Sequence, residues 1–172
     1  MRLTNFTDYS LRVLIYLGLH GPGLVSIADI ARAYQIKQNH LTKVVHNLAR
    51  LGYVDSVRGR SGGLRLAKSP ADINLREIVR QTEDNFVLVE CFASDLCKLT
   101  GVCALARATN EALAAFFCVL ERFTLADLVG SDSAKLAQRL GIVPDSGPPP
   151  TPQGTLDRRR PREGTSTPRG RR

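Results

Sequence analysis

The sequence predicts a mainly α-helical protein: a winged helix-turn-helix with a small β-hairpin wing, followed by a long dimerisation helix. Three observations point there. Two amphipathic helical segments flank a three- or four-residue turn between residues 26 and 51. A Gly/Arg-rich hairpin comes directly after them, and a single apolar stripe then runs from about Ala104 to Phe123. Helix, tight turn, helix and hairpin in that order is the arrangement of a DNA-binding winged helix. At 172 residues the chain has a one-domain length, and its 43% hydrophobic and 23% charged content is that of a globular protein.

The first helix is read over about 7–20, with Leu11, Leu14, Ile15 and Leu17 as its apolar face and Gly21-Pro22-Gly23 as its stop. Ser26 starts the second, with Asp29 three residues on as a partial capping box, and Ile27, Ile30 and Ala31 carry it to about Tyr34. The third spans about 38–51, with Leu41, Val44, Val45, Leu48 and Leu51 inside and Gly52 closing it. Residues 53–57 are strand-like, 58–63 form a basic glycine loop and 64–66 return as a strand, which makes the wing. Its glycines let the backbone approach a phosphate or a minor groove, while Arg58 and Arg60 supply charge. Asn74 caps a fourth helix that reaches about Thr82, with Leu75, Ile78 and Val79 inward. Phe86-Val87-Leu88-Val89 then extends the chain towards a cysteine-rich segment.

In this architecture the third helix enters the major groove. Its polar face offers Gln38, Asn39, His40, Thr42, Lys43, His46 and Asn47, of which three or four are expected to touch base edges. Gln38 and Asn39 have the geometry to read adenine bidentately, and Lys43 suits guanine or phosphate. Ser26 and the start of the second helix would lie on the phosphate backbone. His40 and His46, six apart, do not share a helical face and make a poor metal pair. Charge agrees with this polarity: residues 1–80 hold 12 Lys/Arg against 5 Asp/Glu, whereas 81–143 hold 5 against 8.

Cys91, Cys97 and Cys103 form a C-x5-C-x5-C segment. Structural zinc generally uses closer pairs, because two thiolates share one small ion. Longer, equal spacings suit a loop draped round a larger inorganic core such as an iron–sulfur cluster. A fourth position remains, for which Cys118, Asp95, Asp8 and the three histidines are candidates. Cys118, between Phe117 and Val119, reads better as a small buried hydrophobe.

The helix from about Ala104 to Phe123 carries Leu105, Ala112, Phe116, Val119, Leu120 and Phe123 along one stripe. That is more apolar surface than a small wing domain can cover, so pairing with a second copy is expected, with Ala108, Ala112 and Ala115 permitting close approach. A two-fold dimer would present two recognition helices, roughly 34–36 Å apart, to palindromic double-stranded operator DNA. From Pro144 to Arg172 the chain holds seven of its nine prolines and seven arginines, against three acidic residues, with Leu156 as the one bulky aliphatic. Such a tail cannot bury enough apolar surface to fold and should be disordered. The organisation is thus 1–83 DNA-binding domain, 84–103 cluster loop, 104–143 dimerisation helix and helical segment, and 144–172 basic tail. The N-terminus is not a signal peptide and the apolar run 11–19 contains Arg12, so a cytoplasmic protein without a membrane span is expected. No nucleophile–base constellation accompanies the histidines, which argues against an enzyme.

The segments Met1-Arg2-Leu3-Thr4-Asn5-Phe6-Thr7-Asp8-Tyr9-Ser10-Leu11-Arg12 and Ser56-Val57-Arg58-Gly59-Arg60-Ser61-Gly62-Gly63-Leu64, together with the triple cysteine, resemble the Rrf2 family of winged-helix regulators. Within it they are most similar to repressors that sense nitric oxide. Ala115-Phe116-Phe117 and Phe123-Thr124-Leu125-Ala126-Asp127-Leu128 add to the likeness, which covers residues 1 to about 130 and leaves the tail without a counterpart. The resemblance implies that Cys91, Cys97 and Cys103 ligate an iron–sulfur cluster and that Asp8, reaching over from the partner subunit, is the fourth ligand. Three cysteines plus one oxygen fit 4Fe-4S slightly better than 2Fe-2S. Members that govern cluster assembly carry a histidine three residues past the third cysteine, where this chain has Ala106. Nitric oxide is therefore the implied signal, with sensing of iron or cluster supply as the alternative and an electron-transfer protein as the rival of another class. A structural zinc site is a further, weaker one.

Overall fold

The computed structural model describes residues 2–59, 62–88, 103–130 and 132–143. Thr4, in extended backbone, caps α1 (Asn5–His20) by accepting the Thr7 N–H at 3.3 Å. The cap lies upstream of Leu11, the first residue of the predicted apolar face, and the helix begins two residues before the hydrophobic pattern predicts. Val13, Leu14, Tyr16, Leu17 and Leu19 are all buried, whereas Leu11 and Ile15 are half-buried. α1 is therefore no edge helix with a single apolar stripe but the axis of the core. The later elements pack round it.

α2 (Ile27–Tyr34) starts as expected: Ser26 Oγ accepts the Asp29 N–H at 3.1 Å and donates to the Asp29 carboxylate at 2.6 Å. Gln35, in the left-handed region (φ 53°), turns the chain into α3 (Gln38–Arg50) across three residues. Leu41, Val44, Val45 and Leu48 of α3 are buried. Leu51 falls just outside the helix, and Gly52 supplies the positive φ of 75° that lets the chain double back.

Strands β1 (Val54–Val57) and β2 (Gly63–Leu66) pair antiparallel, Val54 opposite Leu66 and Val57 opposite Gly63. Val25 exchanges two backbone hydrogen bonds with Leu64, 2.9 and 2.8 Å, which ties the wing to the α1–α2 connection. A 3₁₀ turn (Pro70–Asp72) leads to α4 (Leu75–Thr82), where Asn74 accepts the Arg76 N–H at 2.9 Å and Leu75, Ile78 and Val79 are buried.

α5 (Ala104–Glu121) has no buried residue along its 18 positions. Its C-terminal end is pinned to the first half of the chain. The Leu75 N–H donates to the Phe123 carbonyl at 3.1 Å, the Leu125 N–H to the Ile73 carbonyl at 2.8 Å and the Asn74 amide to the Glu121 carbonyl at 2.8 Å. Arg76 pairs with Glu121 at 2.7 Å. α6 (Leu125–Val129) and α7 (Ser133–Leu140) pack back on α1, so Leu125, Ala137 and Ile142 join the same core as α1–α4. Cys118 departs from its expected burial: it is exposed, because α5 packs on the body through only part of its surface.

Candidate nucleic-acid interface and metal centre

The polar face of α3 is built by its own periodicity. Burying Leu41, Val44, Val45 and Leu48 leaves Gln38, Asn39, His40, Thr42, Lys43 and His46 exposed, with Asn47 half-buried. Three of the seven are already engaged. The Thr42 hydroxyl donates to the Gln38 carbonyl at 3.0 Å, Asn47 Oδ1 accepts from Arg50 at 2.9 Å, and the His40 ring meets Tyr9 edge-on, centroids 6.3 Å apart. Among the described residues the side chains of Gln38, Asn39, Lys43 and His46 make no such contact and stand free at the helix's first two turns and beyond. Ser26 lies at the α2 N-terminus, its hydroxyl committed to Asp29, and Arg58 is exposed at the end of β1. Arg60 lies outside the described residues.

Of the predicted cluster ligands, Cys91 and Cys97 lie outside the described residues, as do Asp95 and the tail. Cys103 is half-buried at the N-cap of α5, and its sulfur makes no capping bond. Asp8 sits on the first turns of α1 with its side chain 44% exposed, one oxygen 2.9 Å from Arg12 Nε. The cap of α1 is Thr4, so Asp8 is not consumed by capping. Arg12 in turn lies over the Tyr34 ring, 5.5 Å from its centroid, and burial pushes the Tyr34 hydroxyl up to about 12 against the partial opposition of that guanidinium. Asp8 thus stands on a braced platform facing outward.

The Cys103 sulfur and one oxygen of Asp8 are left open by the fold, and a set of three thiolates with one carboxylate is soft enough for iron–sulfur chemistry and too soft for magnesium or calcium. The residues present therefore fit such a cluster. Among the described residues no three His, Cys, Asp or Glu side chains converge.

One cluster of polar groups escapes sequence reasoning altogether. The Glu83 carboxylate, just past α4, accepts from the Thr4 N–H with both oxygens at 3.1 Å, from the Thr4 hydroxyl at 3.1 Å and from the Thr7 hydroxyl at 2.5 Å. The Thr82 hydroxyl lies 3.2 Å from Thr7 Oγ and 2.8 Å from the Ile78 carbonyl, so its one proton is shared between them. Thr7 and Thr82 are buried, with Ser10 the third buried polar residue among those described. This clasp joins the turn that carries Asp8 to the root of the segment that carries the cysteines. Its partners are 76 and 79 residues apart, and no local pattern announces them.

Residues 3–131 match the profile of a family described as Rrf2, iron-dependent transcriptional regulator. The chain is 54% identical over 132 residues to the HTH-type transcriptional regulator NsrR of Bacillus subtilis (strain 168), covering 75% of this chain and 90% of that protein. Against NsrR of Geobacillus kaustophilus (strain HTA426) it is 51% identical over 143 residues, 81% and 97% of the two chains. The solved structure of T. potens IscR superposes with a TM-score of 0.64 at 26% identity, covering 80% of this chain and 91% of that one.

Proposed function

Because the chain belongs to the Rrf2 family of transcriptional regulators, we propose that it is a cytoplasmic, homodimeric repressor that holds an iron–sulfur cluster and frees its operator in response to nitric oxide. The observation that carries this reading is the joining, on one chain, of a winged helix-turn-helix to the Cys91/Cys97/Cys103 segment, in a sequence about half identical to NsrR. The cluster would be held by those three thiolates and by Asp8 of the partner subunit, as 4Fe-4S rather than 2Fe-2S. When bound, it supplies iron that nitric oxide can ligate and a bridge between the two chains.

The chain's own residues do the rest. Gln38, Asn39, Lys43 and His46, with His40, Thr42 and Asn47 beside them, meet the major groove of double-stranded DNA, Ser26 lies on the phosphate backbone, and Arg58 and Arg60 track the wing. Leu105, Ala108, Ala112, Ala115 and Val119 lie on α5 at alternating three- and four-residue steps, and all five are exposed in the single chain. That spacing is a helix-pairing seam, and its alanines favour a second copy at short distance. With Cys103 at the start of α5 and the partner's Asp8 at the start of α1 as its ligands, a cluster would fix the separation of the two α3 helices, and losing it would let them drift from the operator register. A differential of about 3 kcal/mol between the two states suffices for a 150-fold loss of affinity. No catalytic role is assigned to any residue.

The family's description as iron-dependent favours one second reading, in which iron or cluster supply is the signal. Anaerobic operator binding separates the two. Wild type with cluster should bind tightly, while Cys97→Ala and cluster-free wild type should bind equally poorly. Equal tight binding by all three sinks the bracing role, and a cluster-dependent affinity indifferent to nitric oxide moves the signal to iron supply.

A further inference from the structure

The α2 edge of the helix-turn-helix is shared with α7, a helix that lies beyond residue 131, where the family match ends. α7 turns Leu136, Ala137 and Leu140 towards the core and leaves Arg139 exposed. Its end is fixed. Gly141, in the left-handed region (φ 64°), stops the helix, the Ile142 N–H donates to the Ala137 carbonyl at 2.9 Å, and Ile142 is buried in the core shared with α1. The backbone that carries Arg139 is therefore anchored to the winged-helix body.

Arg139 and Val143 face Leu24, Asp29 and Arg32, on either side of the Ser26 cap of α2, across an open groove of about 510 Å³. The charges here are unequally committed. The Asp29 carboxylate accepts from the Ser26 hydroxyl at 2.6 Å and from Arg32 at 3.0 Å, so its charge is already met. Lys135, one turn earlier on α7, pairs with Asp132 at 2.9 Å. Arg139 is in no ion pair among the described residues. An uncompensated guanidinium in a groove open to solvent suits an oxyanion. The position of the groove names the source of that oxyanion. In a helix-turn-helix the first of the two helices, here α2, crosses the phosphate backbone. Val25, in the same groove, is hydrogen-bonded to Leu64 of the wing, so the edge that carries Arg139 is continuous with both elements that flank a DNA strand.

We propose that Arg139 binds one backbone phosphate of each operator half-site across the α2–α7 groove. The proposal rests on the DNA-binding function above and adds to it a contact from an element outside the winged helix. Arg32 keeps Asp29 from repelling that phosphate. Because a phosphate carries no base identity, the contact raises affinity and leaves the preferred sequence unchanged.

The test uses full-length wild type, Arg139→Gln, Arg139→Lys and Lys135→Gln. The probe is a site that wild type itself selects from a randomised duplex pool. For Arg139→Gln the slope of log affinity against log salt should fall by about 0.9 per bound protomer. Over the decade below 1 M salt that slope corresponds to a loss of about eightfold per protomer at 0.1 M. Arg139→Lys keeps the charge and should keep the slope, and Lys135→Gln, whose lysine lies outside the groove, should match wild type within about twofold. Neutral methylphosphonates placed one at a time along the site then locate the contact. One position per half-site should weaken wild type and leave Arg139→Gln unaffected. Wild-type affinity and slope in Arg139→Gln, or a loss of slope in Arg139→Lys, overturns the contact. So does an equal loss in Lys135→Gln, or a methylphosphonate profile that Arg139→Gln shares with wild type, since either marks a diffuse field. A wild type that selects no site overturns the DNA-binding function itself, and this contact with it.

Discussion

Removing the Glu83 carboxylate tests whether the clasp between α1 and α4 carries stability. Its strongest bond is the one from the buried Thr7 hydroxyl, at 2.5 Å. A hydrogen bond to a charged acceptor contributes about 1.5–3 kcal/mol. The Thr4 N–H and hydroxyl face solvent, where water replaces the lost acceptor, so they add little. Glu83→Ala should therefore cost about 2 kcal/mol, a fall in Tm of roughly 8 °C for a folded body of this size. Thr7→Val preserves shape and leaves Thr82 its Ile78 carbonyl acceptor, so it should cost about 1 kcal/mol. The two changes break the same bond, and the double variant should cost less than their sum by about 1 kcal/mol. Urea unfolding at fixed protomer concentration measures all three, since the proposed dimerisation would make stability concentration-dependent. A Glu83→Ala cost below about 0.5 kcal/mol, or strict additivity, would refute the reasoning. Because Asp8 comes directly after Thr7, Glu83→Ala should also hasten cluster loss under anaerobic dialysis.

Ala112→Arg places a charge in the exposed α5 seam and should yield a monomer by light scattering with unchanged far-ultraviolet circular dichroism; an intact dimer would move the pairing face elsewhere. Asn39→Ala, on the free part of α3, should cost about 1–3 kcal/mol on the selected site and relax its sequence preference, whereas Lys43→Ala should lower affinity on all duplexes and reduce the salt slope by about 1 if it meets phosphate. Tyr34 should ionise near pH 12, late compared with an ordinary tyrosine near 10. Its raised value means that its contribution to stability is complete below about pH 10 and is lost as pH rises through about 12. Difference absorbance of tyrosinate should show a late step that Tyr34→Phe removes.

Much of the fold is legible in the sequence because its signals are local. Ser26 and Asn74 cap the helices they are expected to start, Gly52 closes α3, and the apolar spacing from Leu41 to Leu48 decides which side of α3 faces out. Apolar spacing describes the first helix too narrowly. A helix packed on several sides has no single stripe, so Val13, Tyr16 and Leu19 do not stand out from the half-buried Leu11 and Ile15. On α5 the sequence stripe includes Phe116 and Leu120. Both are half-buried, and the neighbouring Phe117 packs edge-on against Phe86, centroids 4.7 Å apart. The rest of the stripe, Leu105, Ala112, Val119 and Phe123, is exposed, as are Ala108 and Ala115, which the sequence also offers for close approach. The polar clasp is invisible for a different reason: its partners come from opposite ends of the winged-helix half, and only tertiary packing brings them together.

Coupling of a nitric-oxide-reactive iron–sulfur cluster to operator binding within one chain is tested most directly by a single titration. Visible absorption of anaerobically purified protein on its selected DNA site is followed as nitric oxide is added, with DNA release recorded in the same cuvette by fluorescence anisotropy. The expected result is a broad band near ~400 nm that bleaches in step with release of the DNA. A colourless protein that binds the site, or a coloured one that keeps its DNA after the band has gone, would contradict the coupling.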